Sequence, residues 1–117
     1  MITELGKELR KIRIDRDERL LDMADRLEKS AAFVSAVEVG KKTPPNGFEE
    51  AVIRAYGLVG EVADGLRMAA DRARKAFTLA PTSVLGRDTA GLLARHMNEL
   101  SPEQLNDIQK ILNEKRG

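Results

Sequence analysis

The stretch "LLDMADRLEKSAAFVSAVEVGKKTPP", Leu20 to Pro45, decides how the chain is read. Leu20, Met23, Ala24 and Leu27 keep the spacing i, i+3, i+4, i+7, which lays one apolar stripe along a short helix. A few residues on, Ser30 offers a side-chain oxygen to cap a second helix, in which Val34 and Val37 turn inward. Gly40 is free to take the left-handed conformation that ends this helix, and "TPP" at 43–45 forbids its continuation. Two short helices joined by a tight turn are therefore expected at the centre of the fold.

Working outward, Leu5, Leu9 and Ile12 mark a preceding helix that Thr3 would cap and that ends in "RDER" at 16–19. After the prolines, Asn46 followed by Glu49 resembles a capping box. It would open a helix with Phe48, Ala51, Val52 and Ala55 that Gly57 closes, completing a compact unit near residue 57. A longer helix should then carry Val62, Leu66, Ala69, Ala73 and Phe77 on one face. Gly65 inside it costs about 1 kcal/mol relative to alanine, and the run Ala69, Ala70, Ala73 points to close helix packing. Only "KAFTLAP" at 75–81 resembles even a short strand.

The segments "APTS" at 80–83 and "LGRD" at 85–88 read as breaks. Beyond them Leu92, Leu93, His96, Met97 and Leu100 form another stripe. "SPEQ" at 101–104 then supplies Ser101 as cap, Pro102 at the first helical position and Gln104 as capping partner for a last helix with Leu105, Ile108, Ile111 and Leu112. The fold expected is all-α: a domain of four to five helices over 1–76, then a helical hairpin over 77–117. Two short amphipathic helices have too little area to bury themselves alone, so the hairpin should pack on the first domain or on a second chain. Leu93, Met97, Ile108 and Leu112 are the expected dimer contacts.

Composition narrows the function. The chain has 117 residues, 42% of them hydrophobic, and Lys+Arg 20 against Asp+Glu 19 leaves a net charge of only +1. Any anion-binding surface must come from local clustering. The absence of cysteine excludes disulfides and zinc–thiolate sites, and a single histidine leaves little material for a metal site. His96, on an apolar stripe, reads as a packed or interfacial histidine. Aromatics at 3% without Trp argue against an aromatic-lined cofactor pocket or a base-stacking platform. Asp and Glu pairs occur on many of the expected helices but none stands out as a cleft-forming general acid and base, and a glycine-rich phosphate loop and a nucleophile near a histidine are missing from the sequence pattern, so neither an enzyme nor a cofactor is expected. No apolar run reaches the roughly 18 residues of a membrane span, and the N-terminus lacks a signal-like apolar core, so a cytoplasmic protein without membrane contact is the expectation.

Ala24 at the tight contact of the helix pair, Ser30 at the start of the second helix, and "VSAVEVGKKTPP" with Glu38, Gly40, the lysines and the prolines in order resemble the Xre family, the phage-repressor type of helix-turn-helix, over about half the chain. The resemblance implies a lambda-repressor-like globule that binds double-stranded DNA as a homodimer and regulates transcription at palindromic operators, in the prokaryotic nucleoid or a phage-infected cell. It also implies an ion pair between Arg13 and Glu38 that links the first helix to the recognition helix.

By the same resemblance Ala31, Ala32 and Ala36, with Phe33 and Ser35, would face the bases, and Arg16, Arg19, Lys29, Lys41 and Lys42 would meet phosphates; Phe33, beside Val34, reads equally as a half-buried core residue. Three positions depart from the family: Glu28 stands where glycine usually makes the turn, Lys29 where an apolar residue follows, and Leu20 where a polar residue holds a phosphate. Alanine has no donor or acceptor, so the bidentate pairs that read guanine or adenine are not available to those three places. Two readings follow. In the first, a sequence-specific repressor sets a slim helix deep in the major groove, with Ser35 hydrogen bonding, Phe33 and the alanines against thymine methyls, and DNA shape adding specificity. In the second, an antitoxin-like module uses its tail to hold a protein partner and binds DNA weakly or not at all. The basic residues favour the first.

Overall fold

The computed structural model describes residues 1–114, which are helical throughout their regular structure and contain no strand. The helices are α1 (Glu4–Asp15), α2 (Leu20–Leu27), α3 (Ala31–Glu38), α4 (Phe48–Tyr56), α5 (Gly60–Arg72), α6 (Val84–His96) and α7 (Pro102–Glu114), with a 3₁₀ turn (Met97–Glu99) between the last two. They fall into two compact units, Met1–Phe77 and Thr78–Gly117.

In the first unit α1 starts where Thr3 Oγ1 accepts the Gly6 N–H at 3.0 Å. It buries Leu5, Leu9 and Ile12, as their spacing requires. The helix stops before Asp17, which lies in left-handed conformation at φ 54°. α2 buries Met23 and Ala24 and ends at Glu28, which also turns left-handed, at φ 56°. A side chain in that region costs roughly 1–2 kcal/mol. The turn closes all the same, because the Lys29 N–H reaches the Ala24 carbonyl at 3.0 Å. Ser30 Oγ then accepts the Phe33 N–H at 3.0 Å, and α3 runs with Val34 and Val37 buried.

α4 and α5 depart from the sequence reading. Asn46 does not cap α4: Gly47, at φ 85°, holds the cap position without any side-chain bond, and Glu49 turns to Arg74 instead. α4 contributes Phe48, Val52, Ile53 and Tyr56 to the core, the last two unassigned by the stripe, and Gly57 ends it at φ 63°. Nor is the unit complete near residue 57, since α5 packs on both α1 and α4. α5 starts at Gly60 and ends at Arg72, and it buries Ala63, Leu66, Ala69 and Ala70. One residue along a helix is a turn of about 100°, so a core face through Ala63, Leu66 and Ala70 leaves Val62 outside. Phe77 lies beyond the helix and is 62% exposed. Residues 75–81 form no strand; they have no edge to pair with.

In the second unit Ser83 Oγ accepts the Gly86 N–H at 2.9 Å and starts α6, so "LGRD" lies inside a helix and breaks nothing. The start of α7 follows the sequence signal: the Ser101 N–H donates to Gln104 Oε1 at 2.9 Å, and the Gln104 N–H donates to Ser101 Oγ at 3.1 Å. Neither α6 nor α7 buries a residue. Leu93, Leu100, Leu105 and Ile108 are half-buried, while Leu92, Met97, Ile111 and Leu112 are exposed. His96 is not packed as its place on the stripe suggested; it is exposed, with Nδ1 3.1 Å from Glu99 Oε2. Among the described residues no helix is long and apolar enough to cross a membrane.

Candidate nucleic-acid interface

Besides sharing the apolar core, α3 is joined to α1 by polar contacts that converge on Glu38. Both terminal nitrogens of Arg13 donate to its carboxylate, Nη2 to Oε1 at 3.2 Å and Nη1 to Oε2, and Arg10 Nε lies 3.7 Å from Oε1. Arg13 Nη1 also stands 3.3 Å from Met23 Sδ, so α1, α2 and α3 meet at this guanidinium. Arg13 is 8% exposed and Glu38 3%. A charge pair this deep adds little net stability against a well-packed apolar pair, although removing one partner leaves an uncompensated buried charge.

The backbone of Glu38 completes the junction, since its carbonyl accepts from Thr3 N at 3.0 Å and from Thr3 Oγ1 at 2.9 Å. Gly6 makes that approach possible: a Cβ there would lie 2.3 Å from the Glu38 oxygen and 2.7 Å from Ile2 Cγ1. The sequence alone does not single out Gly6, since Gly65 also lies inside a helix yet has open space where a Cβ would sit.

With Val34, Val37 and Glu38 buried, the opposite face of α3 is presented outward. Ala32 is exposed, and Ala31, Ser35 and Ala36 are half-buried. Phe33 is also half-buried, its ring tilted by 56° against Phe48 at 6.1 Å between centroids. At the end of α3 the Gly40 N–H reaches Val37 O at 3.2 Å, and the Lys41 and Lys42 N–H groups both reach Ala36 O, at 2.9 and 3.1 Å. With Gly40 at φ 81°, this Schellman closure turns the chain back along the helix. It brings Lys42 Nζ to 5.5 Å from the Phe33 centroid, and Lys29 Nζ, from the turn before α3, lies at 5.5 Å from the same ring.

The residues expected to meet phosphates divide into two groups. Lys29, Lys41 and Lys42 are exposed and have no ion-pair partner among the described residues. The two arginines are engaged: Arg19 faces Asp22 at 3.8 Å, and Arg16 Nη2 donates to the Tyr56 carbonyl at 2.7 Å with its guanidinium 5.3 Å from the Tyr56 ring. Arg16 thus ties the end of α1 to the last turn of α4.

A second cluster was not legible beforehand. The Tyr56 hydroxyl donates to Glu18 Oε1 at 2.8 Å, Arg26 Nε donates to Glu18 Oε2 at 2.8 Å, and the Arg26 guanidinium lies 4.8 Å from the Tyr56 ring. The hydrogen bonds from Arg26 and then Tyr56 hold the Glu18 carboxyl below the usual carboxylate range. Burial, followed by the bond to Glu18, pushes the Tyr56 phenol up. Glu18 is thus held in its charged form against Arg26.

The residues expected at a dimer contact lie in the second unit, where Leu93 and Ile108 are half-buried and Met97 and Leu112 exposed. Among the described residues no group of three or more His, Cys, Asp or Glu side chains is placed to hold a metal ion. No family model, curated protein or solved structure matches the chain. What the α3 surface offers chemically is three ammonium groups for anions, one hydroxyl at Ser35, and methyl groups that leave room for close approach.

Proposed function

We propose that the chain is a sequence-specific DNA-binding regulator of the Xre type, a repressor that acts as a homodimer at a palindromic operator in a prokaryotic or phage-infected cell. The observation that carries this reading is the outward face of α3: slim side chains at Ala32 and Ala36, with Ser35 between them, bordered by the unpaired Lys29, Lys41 and Lys42. Lysines at a helix edge displace counterions from the phosphate backbone, and a helix without bulk enters the major groove deeply. The polar contacts that converge on Glu38 support the reading, because base-edge recognition needs a helix held in one orientation. Two recognition helices about one DNA turn apart require a dimer, and the unburied apolar side chains of α6 and α7 suit that role.

Those same exposed side chains also favour the second reading, an antitoxin-like module whose α6 and α7 hold a different protein. One experiment separates the two. An operator is selected from random duplexes, and salt titrations then compare variants on operator and scrambled DNA. Lys41→Ala and Lys42→Ala should weaken binding to all duplexes and lower the salt slope by about one unit per lost contact. Ser35→Ala should reduce only the preference for operator. Ala36→Glu should be the most damaging. An Ala36→Glu protein that binds like the parent removes α3 from the DNA and leaves the partner-module reading.

A further inference from the structure

We propose that Phe33 is a positioning residue for phosphate binding and not a reader of bases, an inference that rests on the DNA-binding reading above. Its ring is anchored on one side, where it packs at a tilt against the buried Phe48. Beside that anchor it carries two cations, the ammonium of Lys29 from the turn before α3 and that of Lys42 from the reversal after it, each 5.5 Å from the centroid. The negative face of an aromatic quadrupole attracts an ammonium group at this distance. Two flexible lysines that are remote in sequence are thereby gathered at one place before any ligand arrives. Ordering such side chains on binding is costly, and a ring that restrains them in the free protein removes part of that cost.

Two further observations point the same way. Neither lysine has an acidic partner among the described residues that would compete with a phosphate. Phe33 is also half-buried and packs on Phe48, so less of its ring is open to a thymine methyl than on a fully exposed side chain. Phe33 acts on DNA through the lysines.

The test uses the full chain and a short random-sequence duplex at low salt. Phe33→Leu keeps apolar bulk against Phe48 and removes the aromatic face; it should lower affinity about fivefold, from the restraint lost at two side chains. It should lower it equally on selected and scrambled duplexes. Phe33→Tyr, which restores the aromatic face, should recover parent affinity. In a Lys29→Ala, Lys42→Ala background Phe33→Leu should have no further effect. By NMR the ε-methylene protons of Lys29 and Lys42 should carry an upfield ring-current shift that Phe33→Leu abolishes. A Phe33→Leu protein with altered operator preference but unchanged affinity for random duplex makes Phe33 a base reader. An equal loss in the Lys29→Ala, Lys42→Ala background makes it merely structural. Either result overturns this proposal while DNA binding stands, whereas a parent protein that binds no duplex overturns both.

Discussion

Replacing Glu38 by leucine should expose how α3 is held. The substitution keeps much of the volume but removes the carboxylate that Arg13 addresses with two nitrogens. Arg10 is half-exposed and simply turns to water, but Arg13 is 8% exposed and is left with Met23 Sδ, a weak acceptor. A buried charge without its partner costs about 3–5 kcal/mol. A unit the size of Met1–Phe77 has a total stability of roughly 4–12 kcal/mol at the usual value per residue, so one side chain should remove about a quarter of it or more. Adding Arg13→Met should return most of the loss, because an apolar pair of similar volume needs no compensating charge.

The Thr3 bonds to the Glu38 carbonyl are backbone-directed and persist in every variant, so they cancel in the cycle. Urea unfolding of the full chain, followed by circular dichroism, gives the four stabilities by linear extrapolation. The double-mutant cycle should show a coupling of roughly 2–3 kcal/mol or more. A Glu38→Leu cost below about 1 kcal/mol, or single effects that simply add, would refute the argument that a desolvated pair holds α1 to α3.

Three further outcomes follow from other parts of the structure. Gly65 lies inside α5 at an unstrained backbone conformation with open space where a Cβ would sit, so Gly65→Ala should stabilise the protein by about 0.5–1 kcal/mol, read as a higher urea midpoint. The Arg74 hydrogen bonds hold the half-buried Glu49 carboxyl below its usual range. Its contribution is therefore full above the unfolded carboxylate value near pH 4.3 and disappears as pH falls through the lower folded value. The urea midpoint should thus hold steady down to about pH 5 and then drop, less steeply in Glu49→Gln. Ending the chain after Ala80 removes α6 and α7 but leaves the core of the first unit intact, so the truncated form should stay folded, sediment as a monomer and bind a selected operator far more weakly than the full chain.

What was legible in the sequence is what neighbours decide. Thr3, Ser30 and the Ser101–Gln104 pair make their capping bonds three residues away, and each stands where its residue type and the following stripe put it. The misreadings arise where a distant partner wins. Asn46 and Glu49 have capping-box spacing, but Arg74, 25 residues beyond Glu49, takes that carboxylate with two nitrogens and also reaches the carbonyls of Pro44 and Pro45. Tyr56 meets Glu18 across 38 residues, and its carbonyl takes Arg16 across 40, pairings that no local pattern announces. In α5 an apolar residue at Val62 sits one position off the core face, so periodicity alone chose the wrong register. The candidate site was legible in part for the same reason: the exposed face of α3 and its bordering lysines follow from which valines turn inward, whereas the ring that gathers Lys29 and Lys42 depends on how the chain reverses after Gly40.

The central claim is that α3 faces duplex DNA, and NMR titration of the labelled full chain with a short random-sequence duplex at low salt tests it most directly. Electrostatic binding survives without an operator, so an unspecific duplex suffices. The account predicts amide shifts concentrated from Lys29 to Lys42, strongest at Lys29, Ala32, Ser35, Ala36, Lys41 and Lys42, that fade as salt is raised. Shifts that are absent, or that gather on α6 and α7 while α3 stays unmoved, would contradict it.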